Sequence, residues 1–141
     1  MKVTIKDRKI LKDKAWDTYS IYIRKRDSGK CITCDKRIWD EEIGEWTIKG
    51  MQAGHFFHGV LDFDEDNVNC QCQQCNHFKS GNGAIYSVKL IEKIGKERFD
   101  ELNKKRLVAL KGELKSAEEY EEIIRKYTEK TNELGKQDIV H

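Results

Sequence analysis

Proline is missing from all 141 residues, methionine occurs only twice, and no apolar run approaches the roughly 20 residues that a bilayer-spanning helix needs. The first absence removes proline-rich linkers. Neither an internal repeat nor a low-complexity stretch divides the chain, so a single domain over residues 1–141 is expected. The basic start from Met1 to Lys14 lacks the apolar stretch of a signal peptide, which makes the expected location cytoplasmic with no membrane partner. With 38% hydrophobic and 37% charged residues, the composition supports a small core with helical appendages.

The net charge of +2 hides a segregation. Residues 1–30 carry ten Lys or Arg against four Asp, residues 31–75 carry three against nine acidic side chains, and residues 76–141 carry fourteen against twelve. The basic excess therefore lies in the first segment, where it suits contact with phosphates, and the acidic excess lies in the middle.

From Lys6 to Arg26 the apolar residues Ile10, Leu11, Trp16, Tyr19, Ile21, Tyr22 and Ile23 recur near helical spacing, which predicts an amphipathic helix ending at Ser28-Gly29. Alternation over Glu45–Lys49 reads as a strand, with Met51–Phe57 as its partner and a further short strand at Asn67–Cys72. Helix should resume near Gln73, break at Ser80-Gly81-Asn82-Gly83 and continue to Gly95. Glu97–Leu110 and Ser116–Leu134 read as two more helices, the latter opening on a capping box at Ser116 and Glu119. The chain thus divides into a basic N-terminal helix (1–30), a core (31–95) and C-terminal helices (96–141), an α+β arrangement.

Five cysteines are present, four of them in two CxxC pairs, Cys31/Cys34 and Cys72/Cys75, separated by 37 residues. Each pair presents two thiolates to one ion, so the four predict a closed tetrahedral zinc site that is structural, with no open position for chemistry. Cys70 reads as a small buried hydrophobe. Between the pairs lie His55 and Asn67, and Asn76 follows Cys75 directly.

This His, Asn, Asn order resembles the HNH or ββα-metal nuclease motif. The resemblance implies a small zinc-stabilised ββα core in which His55 is the general base, Asn67 braces the loop that orients it, and Asn76 binds a catalytic Mg²⁺ or Mn²⁺ through its amide oxygen. Many members of that superfamily carry an aspartate before the histidine. Here that place is Gly54, and either Asn76 holds the cation with phosphate and waters, or Asp62, Asp64, Glu65 or Asp66 substitutes.

More of the chain, about residues 10–134, is similar to the bacteriophage NinG (Rap) recombination proteins. The likeness is carried by Ser20–Asp27, Ala53-Gly54-His55, Glu65-Asp66-Asn67-Val68, Cys72-Gln73-Gln74-Cys75-Asn76, Ser80-Gly81-Asn82 and the stretch from Tyr86 to Gly95. It implies a metal-dependent endonuclease acting on branched DNA, found as a phage protein inside a bacterial host. A homodimer would suit cleavage of two strands at a junction. Independently of family, Arg24 and Arg26 before the first cysteine pair, Lys79 after Asn76, and His58 are candidate DNA-backbone contacts. The rival expectation is a non-catalytic zinc-ribbon adaptor that binds DNA or protein.

Overall fold

The computed structural model describes residues 3–112 and 114–139, and only the backbone at Phe78 and residues 137–139. Helix α1 spans Ile5–Arg26 and opens on a reciprocal cap: Asp7 N–H donates to the Thr4 hydroxyl, and Thr4 N–H donates to the Asp7 carboxylate. Arg24, Lys25 and Arg26 occupy its last turn, where cations favour the negative end of the helix dipole. Ala15, Tyr19, Tyr22 and Ile23 form its buried stripe.

Four short strands follow: β1 (Ile38–Asp40), β2 (Glu45–Thr47), β3 (Met51–His55) and β4 (Val68–Cys72). They form two antiparallel hairpins, β1–β2 and β3–β4, in place of the expected pairing of Glu45–Lys49 with Met51–Phe57. Local chemistry explains the difference. Asp40 accepts the amides of Glu42 and Ile43, Gly44 takes a left-handed φ of 68°, and this loop turns β2 back onto β1. The largely exposed β2 also has no buried face to offer β3, whereas every residue of β4 is buried.

After β4 the backbone makes a π-helical turn over Gln74–Phe78, not the regular helix expected from Gln73. Ser80, Gly81 and Asn82 all have positive φ, which stops the turn at the expected break. Helices α2 (Gly83–Ile94), α3 (Lys96–Val108) and α4 (Ala117–Ile139) complete the fold. Glu119 N–H donates to the Ser116 hydroxyl at the start of α4, as the capping box requires.

The β3–β4 hairpin lies at the centre. Side chains alternate across it, so Met51, Ala53, His55, Val68, Cys70 and Cys72 share one face, and Gln52, Gly54, Asn69 and Gln71 share the other. On the first face Ala53 and Val68 pack with Tyr19, Tyr22 and Ile23 of α1 and Tyr127 of α4. On the second, the buried hydroxyl of Tyr86 in α2 donates to Gly54 O (2.8 Å) and accepts from Asn69 Nδ2 (3.1 Å). Glu65, in the loop between β3 and β4, accepts from Tyr22, Tyr127 and Lys130 and so ties α4 to α1.

Candidate metal centre and hairpin site

The Sγ atoms of Cys31, Cys34, Cys72 and Cys75 all lie within 4.8 Å of one another. A tetrahedral ZnS₄ site with bonds of about 2.3 Å needs sulfur separations of about 3.8 Å, and Cys34 and Cys72 stand at 3.6 Å. The quartet therefore fits zinc. Cys75 N–H donates to Cys72 Sγ (3.4 Å), and the Thr33 hydroxyl lies 3.1 Å from Cys31 Sγ, contacts of the kind that support metal-bound thiolates. Burial opposes ionisation of Cys31, yet the Thr33 hydroxyl and nearby backbone amides outweigh it and draw this thiol down to about 7. Cys70 lies outside the quartet, fully buried, and burial pushes its thiol up to about 12, in keeping with its reading as a small hydrophobe.

At the other end of β3, His55 Nε2 lies 3.0 Å from Asp62 Oδ1, and its ring stacks on Trp16 of α1 (centroids 4.9 Å apart, planes at 11°). The hydrogen bond to the imidazole holds the Asp62 carboxyl below its ordinary value, against burial and with help from Lys12 and Lys115. Lys12 Nζ reaches 4.0 Å from Asp62 Oδ2. A cleft of about 620 Å³ opens beside Asp62, with Lys12, Asp64, Lys115 and Tyr120 among its walls.

Asn67 is fully buried and closes the loop that carries Asp62. Its Oδ1 accepts Phe57 N–H at 2.8 Å, and its Nδ2 donates to the carbonyls of Phe57, Val60 and Leu61 at 3.1–3.2 Å. Asn67 thus joins the residues that follow His55 to the loop that carries Asp62. Of the four acidic residues expected as substitutes for the missing ligand at Gly54, Asp62 is the one that meets His55, while Asp64, Glu65 and Asp66 pair with Lys105, Lys130 and Arg98.

Asn76 sits in the π-helical turn and donates from Nδ2 to Gln52 Oε1 at 2.7 Å. Gln52 and His55 are three residues apart on one strand, so their side chains leave opposite faces of the hairpin. Among the described contacts none joins His55 directly to Asn76: His55 stacks on Trp16 of α1, and Asn76 reaches Gln52. His58 is exposed, with its ring 6.4 Å from that of His55, and Lys79 is exposed just past the turn.

Two expected DNA contacts have their donors engaged inside the protein. Arg26 donates to the carbonyls of Glu65 and Val68 and to Asn69 Oδ1, and pairs with Asp27. Arg24 donates to Ser20 and to Ile48 O. Both bind the end of α1 to the hairpin segments, Arg24 through Ile48 O and Arg26 through Glu65 O and Val68 O.

The gap at Gly54 also has a physical reason. A Cβ on Gly54 would lie 1.9 Å from Gln71 Oε1 and 2.7 Å from Gln71 Cδ, so the Gln71 side chain fills the space that a larger residue would need.

The sequence profile described as Bacteriophage Lambda NinG protein matches residues 1–137. The chain belongs to the NinG family. Proteins named ninG from Escherichia phage 933W and Salmonella phage P22 are each 36% identical to it over 106 residues, and that of Escherichia phage lambda is 35% identical over 106 residues. In each case the match covers 72% of this chain and 48% of the relative, so the chain spans about half the length of the curated NinG proteins it matches. No solved structure matches significantly. Among the described residues of this NinG family member, no helix is long and apolar enough to cross a membrane.

Proposed function

We propose that this chain is a metal-dependent DNA endonuclease of the HNH type, structure-selective for branched DNA in phage homologous recombination. The observation that carries the reading is the His55–Asp62 pair at the end of a hairpin that leads through the cysteine-anchored turn into α2. With Nε2–H donated to Asp62, Nδ1 keeps its lone pair and accepts a proton from water as the oxygen attacks phosphorus. Asp62 then stabilises the imidazolium that forms, and the stacked Trp16 holds the ring plane.

Asn76 would hold a hard divalent cation, Mg²⁺ or Mn²⁺, whose charge offsets that of the phosphate. The fit rests on its amide. Nδ2 is anchored on Gln52, and among the described residues no hydrogen bond reaches Oδ1. Zinc, closed by four sulfurs, is structural. Lys79 and His58, both exposed, and the half-exposed Lys12 beside Asp62 are the basic side chains offered to a DNA backbone.

The test is cleavage of Holliday-junction, flap and linear duplex DNA with Mg²⁺ or Mn²⁺, by the wild type and by His55→Ala. Branched DNA should be cut preferentially, and His55→Ala should be inactive while remaining folded. Equal cleavage by both proteins would remove His55 from the mechanism. The lack of a direct contact between His55 and Asn76 among the described residues favours a second reading, a zinc-ribbon adaptor for DNA or protein. Binding to branched DNA without cleavage under any cation would select it.

A further inference from the structure

Helix α3 buries Leu102 and packs Phe99 against the same cluster. Leu107 lies five positions beyond Leu102, about 140° round the helix, and so faces away from that core. Leu107, Val108 and Leu110 are 77%, 81% and 70% exposed, the highest values of any large apolar side chain among the described residues. Single exposed aliphatics are ordinary, but three together at the end of one helix mark a contact surface.

Two further observations say what meets it. Residues 104–115 carry Lys104, Lys105, Arg106, Lys111 and Lys115 against one acidic residue, a balance that suits a polyanion. Val108 and Leu110 also form part of the wall of the cleft beside Asp62, and the acids of that cleft are met by cations: Asp62 by Lys12, Asp64 by Lys105 and Glu119 by Lys115. A second copy laid symmetrically on this surface would set like charges against like. Duplex DNA, in contrast, shows phosphates along its length and hides the apolar faces of its bases in the stack. Those faces are bare where stacking is interrupted, as at a branch point. Aliphatic side chains enter a continuous stack only by unstacking it, whereas at a branch it is already open.

We propose that Leu107, Val108 and Leu110 form an apolar wedge for the bare base faces at a DNA branch point, with the exposed Lys104, Arg106 and Lys111 on the surrounding phosphates. The wedge gives branched DNA its preference over continuous duplex and lays the branch at the cleft beside Asp62. The inference rests on the DNA-nuclease reading for its substrate, while the wedge itself is defined by binding alone.

Binding of the zinc-loaded full chain to a four-way junction and to linear duplex of equal length is measured by fluorescence anisotropy without Mg²⁺ or Mn²⁺. The proteins are the wild type, the triple variant Leu107→Ser/Val108→Ser/Leu110→Ser and the double variant Lys104→Gln/Lys111→Gln, with thermal melts to check folding. The wild type should prefer the junction by about tenfold or more. The triple variant should lose that preference while holding duplex as tightly as the wild type, and the double variant should weaken on both DNAs alike. A folded triple variant with the wild-type preference overturns the proposal, as does a wild type with no preference. Should the triple variant fail to fold, Leu107→Ser/Val108→Ser, at the two most exposed positions, is read in the same way. Sedimentation velocity separates the other occupant: a dimer that the triple variant loses would make the patch a contact between copies and overturn the wedge. A junction preference that depends on the three aliphatics, without cleavage under any cation, supports the wedge and sinks the nuclease reading. Cleavage of branched DNA that the triple variant retains in full does the reverse.

Discussion

The Nε2 atom of His55 faces Oδ1 of Asp62 at 3.0 Å, and the carboxylate reaches that place on a loop that turns back after β3. The pair assigns the tautomer: Nε2 carries the proton and Nδ1 accepts. Asp62→Asn should therefore lower DNA cleavage by about a hundredfold or more with little change in melting temperature, since charge is lost and shape retained. Steady-state cleavage by the purified variant decides it, and wild-type rates would show that Asp62 merely packs beside the ring.

Asn67 holds that loop with four hydrogen bonds inside the protein. Asn67→Ala leaves the Phe57 amide and the carbonyls of Phe57 and Val60 short of a partner, while Leu61 O keeps Asp64 N–H, and a loss of about 3 kcal/mol in unfolding free energy is expected. Urea denaturation followed by tryptophan fluorescence reads it directly.

Gly54 and Gln71 occupy one space. Gly54→Ala should destabilise by about 2 kcal/mol through overpacking against a side chain that burial prevents from moving. Shortening the neighbour in the double variant Gly54→Ala/Gln71→Ala should recover part of that loss, a non-additivity that a double-mutant cycle detects. Strict additivity would mean that the two positions do not compete.

Acid stability should depend on Asp27, which is nearly buried. Burial alone would raise its carboxyl, but the Arg26 guanidinium, Lys93 and the Cys70 amide outweigh it and hold it below the ordinary 3.8. A depressed folded value contributes stability that is fully present above the unfolded value and disappears as pH falls through the folded one. Unfolding free energy should thus drop below about pH 4. Asp27→Asn should be less stable at neutral pH, with a shallower slope on the acid side.

Zinc should be present at one ion per chain by elemental analysis. Cys72→Ser or a strong chelator should unfold the segment around β4 and the π-helical turn, because metal binding and folding of such a site are one equilibrium. Loss of the far-UV circular dichroism of α2, or a fall in melting temperature, reports it. A chain that is folded and zinc-free would overturn the four-cysteine site.

Much of this was legible along the chain, and the parts that were not share a cause. The four helices follow from apolar spacing, and the start of α4 also from its capping box, since helical periodicity and capping are local. The second cysteine pair and the Ser80–Asn82 break are likewise local. Strand pairing was misread because Glu45–Thr47 alternates whichever neighbour it joins, and only burial of β3 on both faces selects β4. Arg24 and Arg26 looked like free cations because sequence shows charge and not which carbonyls the end of α1 meets.

By itself the sequence determined the family, the four sulfurs and the identity of the residues with chemistry to offer, because each depends on residue type at short spacing. The tertiary structure decided which of them meet. Strand alternation sent His55 and Gln52, the side chain that Asn76 meets, to opposite faces, the loop closed by Asn67 carries the Asp62 that meets His55, and the missing Cβ at Gly54 let an amide from the facing strand occupy its place. The last two contacts join residues 7 and 17 positions apart through the pleat of one hairpin, a geometry that no local pattern encodes.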